Sequence, residues 1–495
     1  MRSPARALIA LAPGLLTLTL TLALTGCAVG QRDLNAHAQM PATPGMGAAV
    51  TPTTAADGQQ QTFESGAVTP TAWWTTFACP ALDTLVTSAL AANEDIKIAD
   101  ATLRQSHQLA LAAGGALRPQ VDASYQPQGA RAPESLSPPL ADNNQFLYAL
   151  HTTQVSVSYP VDLFGALKSR ARSALAAAEA DEFRLLAARQ SVAANVANTA
   201  ITRASLDAQI IAAKDAMTAA QEMLTLMRQR ERLGAAGASD VVAQEAALAV
   251  IEAGVPDLIR AEAHQRVVLA VLLGLPPGET LPPLPDMSCL HLPSQLPVSL
   301  PADIVRNRPD VRAGEATVKG AAADVGAAVA ARFPAIDLTA GVGGASQGFG
   351  SMFTDGNLFW SLVGSVTAPI FHAGTLAYEQ HAAEAALDAA KAQYRSVVLQ
   401  AFVDVSDALT ALHTDADALA AATRGDKAAE QSLTFAERQL ALGAIGTFDL
   451  LNAQTLRHQV RLQLLQAQTA RLSDTVALYQ ANGAPPDEVP DATVK

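Results

Sequence analysis

Charged and aromatic residues are both scarce in this 495-residue chain. Asp, Glu, Lys and Arg make up 16% of the sequence, against about 25% in ordinary soluble domains, and Phe, Trp and Tyr make up 4%. The length allows two to four globular domains, but the composition is not typical of them. Alanine is abundant instead, which favours long helices that pack closely through small side chains.

Positive charge is also in short supply. The chain has 33 Lys and Arg against 46 Asp and Glu, which gives a formal net charge of −13. Binding to phosphates needs a basic face, so we expect no nucleic-acid partner.

The sequence lacks the motifs of common catalytic and metal sites. It has no phosphate-binding loop, no G-x-S-x-G elbow and no H-E-x-x-H, and its cysteines and histidines form no cluster with metal-ligand spacing. We therefore expect neither an enzyme nor a bound cofactor or metal. Cys79 and Cys289 would meet an oxidising environment outside the cytoplasm, but the sequence does not set their separation, so a disulfide and two free thiols both remain open.

The N-terminus predicts a secretory signal peptide. Two arginines precede an apolar run from Ala7 to Leu24, and "LTGC" ends at Cys27. This ending resembles a bacterial lipobox, in which the Cys becomes the first residue and carries acyl chains such as palmitate. The alternative is cleavage nearby that leaves Cys27 free. Ala28 follows, rather than the Asp that retains such lipoproteins at the inner membrane, so the resemblance favours lipid anchoring at the outer membrane.

Two parts of the chain carry the same motifs in the same order. "LGAAGASD" at Leu233–Asp240 returns as "LGAIGTFD" at Leu442–Asp449, and three further blocks match at offsets of 209 or 215 residues. Four blocks in one order indicate an internal duplication rather than chance. The predicted segments are a signal peptide at 1–26, a lipidated N-terminus and extended tether at 27–72, repeat 1 at 73–277, a Pro-rich linker at 278–297, repeat 2 at 298–484 and a C-terminal tail at 485–495.

Each repeat predicts the order helix, strand, strand, long helix, helix. In the first repeat the helices are expected near residues 82–117, 166–233 and 241–273, and the strands near 121–126 and 152–162. In the second they are expected near 304–332, 376–442 and 450–481, with strands near 336–341 and 360–370. A long helix of this kind measures about 100 Å, which two shorter helices stacked end to end would match. Long antiparallel coiled arms therefore predict an elongated tube.

Apolar residues repeat along both long helices at alternating steps of four and three, which is a heptad seam. The seam residues are Leu206, Ile210, Ala213, Met217, Ala220, Leu224 and Met227 in the first helix, and Val398, Phe402, Val405, Leu409, Leu412, Ala416 and Leu419 in the second.

The predicted strands alternate apolar and polar residues. Val155, Val157 and Tyr159 alternate with Gln154, Ser156 and Ser158. This is the pattern of a membrane β-barrel, and a soluble sheet with one wet face is the alternative. Four strands cannot close a barrel, and open edges are not tolerated in lipid, so a transmembrane interpretation requires several copies that pool their strands.

Taken together, the sequence resembles the TolC-like outer-membrane efflux factors, in their lipoprotein branch. The stretches that carry the resemblance are "WWTTFACPALDTLVTSALAANEDI", "VSYPVDLFG", "VVLAVLLGLPPG", "RNRPDVRAGEA" and the two "LGA…G…D" turns, over about residues 73–484. It implies an α+β membrane protein: a long antiparallel coiled-coil helical tunnel plus four transmembrane strands per chain, which contribute to a shared trimeric 12-stranded barrel. Cys79 departs from the family pattern, which usually has Asp there.

The resemblance also implies the function and the partners. The chain would be the outer-membrane channel and periplasmic duct of a tripartite efflux pump, passively exporting small molecules such as drugs. Its partners would be two further copies of itself, a periplasmic adaptor, an inner-membrane pump, outer-membrane lipid and the cargo. The alternatives are the outlet of a type I protein-secretion system and a non-conducting coiled-coil envelope lipoprotein.

The two turn motifs are the candidate sites. Gly234 and Gly443 are expected as left-handed C-caps, and Ser239 and Thr447 as N-caps of the next helices. The resemblance adds that the turns form periplasmic tips that dock on the adaptor, through Leu233, Gly234, Gly237, Leu442, Gly443 and Gly446.

Asp449 falls where TolC-like proteins carry an acidic residue that constricts the tunnel. Asn452 occupies the second acidic position of the family, and Asp240 is the counterpart of Asp449 in the first turn. We expect a tunnel that is closed at rest and narrowed by Asp449. A local role at the positive end of the following helix is the alternative for this residue. Trp73 and Trp74 are expected either to pack locally or to mark a membrane interface.

Overall fold

The computed structural model describes residues 53–54, 60–131, 147–298 and 307–483. Cys27, the signal peptide, most of the predicted tether and the C-terminal tail lie outside the described residues. Within the described ranges, no helix combines the length and the apolar character needed to cross a membrane. The described residues divide into two compact units. Unit 1 contains those within Arg104–Ala180 and Glu315–Gln393, and unit 2 contains those within Ala38–Leu103, Asp181–Gly314 and Tyr394–Lys495.

The order of helices and strands follows the predicted pattern closely. The helices are α1 Pro80–Ala92, α2 Glu94–Gly115, α3 Ala166–Arg232, α4 Ala238–Leu272, α5 Pro309–Ala330, α6 Thr375–Ala441 and α7 Thr447–Asn482. The strands are β1 Thr53–Thr54, β2 Gln60–Ser65, β3 Gln120–Arg131, β4 Leu147–Val161, β5 Gln295–Val298, β6 Ala335–Ser346 and β7 Leu358–Thr367. Both 67-residue helices, α3 and α6, start and end within one residue of the predicted bounds.

Unit 1 contains one antiparallel sheet with the strand order β3-β4-β6-β7. Its strands have 12, 15, 12 and 10 residues, and β3, β4 and β6 extend beyond the short alternating stretches read from the sequence. They are longer because backbone pairing continues past the point where side-chain alternation ends, as in the pair Gly129 with Ala149. In the described chain, β3 and β7 are the edge strands, each paired on one side.

Pairing register separates the two faces of this sheet. Val155 lies opposite Ala123 on β3 and opposite Val342 on β6, and Val342 in turn lies opposite Trp360. Because side chains alternate along a strand, this row shares one face, here called the apolar face. Gln154 and its neighbours Ser156 and Ser158 point to the other, polar face.

The helices of unit 2 pack along the predicted seams. Every residue of the seam in α6 is buried, and those in α3 are buried or half-buried, so the heptad prediction is confirmed. The larger apolar core of unit 2 contains Val398, Val405 and Leu412 of this seam, together with Phe77 and residues of α1 and α7.

One predicted helix is in fact two. The sequence suggested a continuous helix over residues 82–117, but the structure breaks it at Asn93, between α1 and α2. The Asn93 carboxamide oxygen accepts hydrogen bonds from the N–H groups of Asp95 (2.9 Å) and Ile96 (3.2 Å), which caps the start of α2. Its amide nitrogen donates to the Leu272 carbonyl oxygen at 2.9 Å. This tertiary contact is what the sequence alone could not reveal.

Residues 60–79, here called the strap, attach to the segment between the two halves of the chain. Strand β2 lies in the part expected to be a tether, yet it pairs in parallel with β5 from Thr62–Gln295 to Ser65–Val298. A disulfide joins Cys79 to Cys289, with 5.3 Å between their Cα atoms. The sequence left open whether these two cysteines form a disulfide or remain free thiols, and the structure shows the disulfide. The fully buried Arg471 donates to the Gln61 side chain and to the Leu412 carbonyl oxygen.

Local packing is the role of Trp73. The side chain is buried, and its ring stacks on Tyr479 with 5.4 Å between ring centroids and meets Trp74 edge-on at 5.8 Å. The Thr76 hydroxyl donates to the Tyr479 oxygen at 3.1 Å, which ties the strap to α7.

Candidate functional site

The two "LGA" turns close with the same backbone geometry. Gly234 and Gly443 both have φ near +72°, a conformation that L side chains rarely adopt, so the predicted left-handed C-caps are confirmed. In the first turn the Gly234 N–H donates to Glu231 O at 2.8 Å and the Ala235 N–H to Arg230 O at 2.8 Å. In the second turn the N–H groups of Gly443 and Ala444 make the same two bonds. This pair of bonds is the Schellman motif, which satisfies the last carbonyl groups of each helix.

The helices that follow start differently from the prediction. Gly237 and Gly446 are the N-cap residues, while Ser239 and Thr447 already lie inside the first turn, so the predicted serine and threonine caps are wrong. The aspartates do the capping instead. The N–H groups of Gly237 and Gly446 donate to the carboxylates of Asp240 and Asp449 respectively, each at 3.2 Å. A carboxylate at the third helical position can cap the helix because the N-terminus of a helix carries a partial positive charge.

Both turns present an apolar side chain to solvent. Leu233 is 83% exposed and Leu442 is 84% exposed, and Phe448 beside the second turn is also mostly exposed. Leucines this exposed at capped turns bury nothing within the chain. They are therefore available as contacts for a partner.

The two helical hairpins, α3–α4 and α6–α7, meet in a small apolar cluster near their turns. Met227 and Val241 of the first hairpin pack with Leu440 and Leu450 of the second. The structure thus brings both predicted turn motifs to one region of unit 2.

Ion pairs brace each hairpin from within. In the first, Arg228 Nη2 lies 2.6 Å from Glu245 Oε1, and both side chains are about half exposed. In the second, Asp426 pairs with Arg457 and, at 3.7 Å, with Arg461, and the Asp426 carboxylate is mostly buried. Sequence reasoning missed these residues, because nothing along the chain indicates which charged side chains face a partner helix.

A cavity of about 540 Å³ lies between the four helices above the turns. Small alanine side chains on α3 and α4, among them Ala212, Ala216 and Ala247, leave this space, and Asp426 and Arg457 face it. His458 also lines the cavity, and burial lowers its pKa. Among the described residues no group of His, Cys, Asp or Glu is arranged to hold a metal ion.

The three residues predicted to narrow a tunnel lie around the N-termini of α4 and α7. Asp449 and Asn452 are exposed on α7, and Asp240 is half-buried on α4. Both aspartates cap the helix on which they lie, which is the local role given above as the alternative for Asp449. Exposure leaves the second oxygen of Asp449 available to ions.

Comparison with known proteins identifies the chain. A probable efflux pump outer membrane protein of Pseudomonas putida, SepC, is 30% identical over 425 residues, covering 84% of this chain and 86% of the relative. The pyoverdine export outer membrane protein OpmQ of the same species is 29% identical over 427 residues, covering 83% of this chain and 87% of the relative. The solved outer-membrane channel OprN superimposes with a TM-score of 0.79 at 24% identity, over 84% of this chain and 93% of OprN.

The family model described as outer membrane efflux protein matches residues 85–275 and 300–484, which is most of the chain and includes both pairs of long helices. The chain therefore belongs to the outer membrane efflux protein family, whose members are outer-membrane channels.

Proposed function

We propose that this chain forms the outer-membrane channel and periplasmic duct of a tripartite efflux pump, through which small molecules leave the cell passively. The observation that carries the proposal is the sheet of unit 1. It has one apolar and one polar face, strands of 10 to 15 residues, and edge strands β3 and β7 that are each paired on one side within the described chain. A transmembrane β-strand needs about 9–11 residues.

Three copies complete the channel in this proposal. Each copy contributes its four strands, and the β3 edge of one copy pairs with the β7 edge of the next, so that a 12-stranded barrel has no free edge. The α3–α4 and α6–α7 hairpins of the three copies form the periplasmic tunnel. Cys27 carries acyl chains that hold the N-terminus at the membrane. The duplicated motifs reflect two tandem repeats in each copy.

The capped turns are the contacts for a periplasmic adaptor, which links the channel to an inner-membrane pump. Leu233 and Leu442 support this role because each is exposed on a turn whose backbone is fixed by the Schellman bonds. Gly237 and Gly446 start the helices beyond the turns, and any side chain there would alter the docking surface. A rigid turn that presents one leucine loses little conformational entropy when it binds.

Asp449 narrows the tunnel at rest. Three copies would bring three carboxylates together, which attract cations and constrict the opening, while Asn452 adds no second charged ring. Asp240 is half-buried beside its own cap, so we assign it a smaller part in ion selection.

The cargo is a small molecule. The names of similar proteins refer to pyoverdine, toluene and antibiotics, which favours small-molecule export over type I protein secretion. A non-conducting spacer would have no use for strands with one apolar and one polar face.

Conductance of the purified protein in planar bilayers tests the proposal. We expect a small, cation-selective resting conductance that increases in Asp449→Ala and changes less in the matched variant Asp240→Ala. A protein that gives no pore even when the adaptor is present would contradict the channel. Equal effects of the two variants would contradict the assignment of Asp449 alone.

A further inference from the structure

The loop between β6 and β7 folds back onto the apolar face of the sheet. Its Met352 is fully buried, and the Met352 sulfur lies 3.5 Å from the Thr153 hydroxyl oxygen on β4. The loop approaches β6 so closely that a Cβ atom on Gly344 would overlap the Met352 carbonyl oxygen. Only glycine at position 344 permits this contact, so the loop packs at a defined position on the sheet.

Hydrogen bonds within the loop keep its shape. The Asn357 side chain donates to Ser351 O at 2.8 Å, and the Ala345 N–H donates to Asn357 O at 3.0 Å. The Ser346 and Ser351 hydroxyl oxygens lie 2.7 Å apart. A loop with this many internal bonds does not need a partner in order to be ordered.

The loop nevertheless holds two phenylalanines away from the protein. Phe349 is 63% exposed and Phe353 is 62% exposed. The Phe349 ring meets the rings of Tyr125 and His151 edge-on, with centroids 5.7 and 6.4 Å away. The Tyr125 hydroxyl is hydrogen-bonded to His151 Nδ1 at 2.8 Å. The cluster therefore combines apolar rings with a polar pair.

This aromatic cluster continues the apolar face of the sheet. Thr153 and Gly344, on which the loop sits, occupy the same face as Val155, Val342 and Trp360, and Trp360 is 79% exposed. A neighbouring copy that pairs with β3 or β7 extends the sheet in its own plane and covers neither face. Joining copies edge to edge therefore leaves the aromatic cluster uncovered.

We propose that the β6–β7 loop docks into a lipid surface, with Phe349 and Phe353 at the boundary between headgroups and acyl chains. The inference rests on the proposed function, in which the apolar face meets lipid. Aromatic side chains favour this boundary because their rings are apolar while neighbouring polar groups stay hydrated. The loop leaves the sheet where β6 ends at Ser346 and β7 begins at Leu358, and the Tyr125–His151 pair on the neighbouring strands supplies the polar groups.

Tryptophan fluorescence in lipid vesicles tests this docking. The variant Phe353→Trp, in a Trp360→Phe background, is reconstituted with phospholipids brominated either high or low on the acyl chain. Val250→Trp in the same background is the matched control, because Val250 is also exposed but lies on helix α4. Trp73 and Trp74 contribute equally to both proteins. Conductance is recorded from the same preparations.

We expect lipids brominated near the headgroup to reduce the added fluorescence of Phe353→Trp by roughly twofold, with a smaller effect from bromine deeper in the chain. Aqueous iodide should quench Val250→Trp instead. Normal conductance with iodide quenching and no bromolipid quenching of Phe353→Trp would overturn the docking and leave the channel intact. Absence of conductance, together with no bromolipid quenching of Trp360 in the parent protein, would overturn the proposed function itself.

Discussion

The strap and the hairpin turns are two regions of unit 2 that are held in different ways. The strap is fixed by the Cys79–Cys289 disulfide, by four parallel residue pairs between β2 and β5, and by hydrogen bonds from the buried Arg471. The turns have no covalent link. They depend on glycine caps, a small apolar cluster and a few ion pairs.

This difference indicates which region can change shape. Contacts near the turns are each worth at most about 3 kcal/mol, and the exposed ion pair less than about 1 kcal/mol, so they break and re-form one at a time. Opening of the strap is opposed by three features together: the pairing of β2 with β5, the disulfide, and the hydrogen bonds of the buried Arg471. We therefore expect the helices next to the turns to shift relative to one another more readily than the strap opens, while each turn keeps the backbone geometry set by its own hydrogen bonds.

Removal of the disulfide should give the largest effect. Exchanging both cysteines, Cys79→Ser with Cys289→Ser, avoids a free thiol and should cost about 2–5 kcal/mol, because the bond closes a loop of 210 residues. Hydrogen exchange should show faster opening of β2 and β5 with unchanged exchange at the turns. If exchange at the turns increased as much as exchange in β2 and β5, the disulfide would not act on the strap alone and the contrast between the two regions would be wrong.

The mostly buried ion pair of the second hairpin should follow. Asp426→Ala leaves Arg457 and Arg461 without their shared carboxylate, and we expect a loss of about 1–3 kcal/mol in local stability. Glu245→Ala breaks the exposed pair of the first hairpin and should cost under about 1 kcal/mol. Hydrogen exchange of α6 and α7 measures both. Equal losses would show that burial of Asp426 does not matter.

The two capping glycines should behave alike. Gly234→Ala and Gly443→Ala each force a side chain into a left-handed conformation, which costs about 1–2 kcal/mol. Gly254→Ala is the control, since Gly254 lies inside α4 with open space around its Cα and alanine favours a helix there. Thermal unfolding should therefore separate the control, which gains stability, from the caps. A cap variant as stable as its parent would exclude the left-handed geometry in solution.

These variants also mark what the sequence could and could not predict. The seams and both glycine caps were predictable, because each depends on local spacing and on residue type. The helix break at Asn93 was not, since its amide reaches a carbonyl group of α4. The disulfide, the pairing of β2 with β5 and the Asp426 ion pairs likewise join residues far apart in the chain, where no local pattern exists. Asp240 and Asp449 were placed in the correct first turn, but their carboxylates replaced the expected serine and threonine caps.

Asp474 beside Arg471 should make the strap region sensitive to pH, with the smallest effect of the four. Burial, followed by a hydrogen bond and repulsion from Asp415, raises the pKa of Asp474 from 3.8 to about 7, against the attraction of Arg471. The folded protein therefore holds a proton that the unfolded chain has released, and its stability falls as pH rises from about 4 to about 7. Asp474→Asn stays neutral, so we expect its unfolding free energy relative to the parent to increase over this range, by about 1 kcal/mol or less because the group is half exposed and screened. Thermal unfolding at pH 5 and pH 8 measures the change, with Asp417→Asn, an exposed carboxylate on α6, as the control for lost charge. A difference that stays constant with pH would show that Asp474 is ionised throughout, and the strap would then be no more sensitive to pH than the turns.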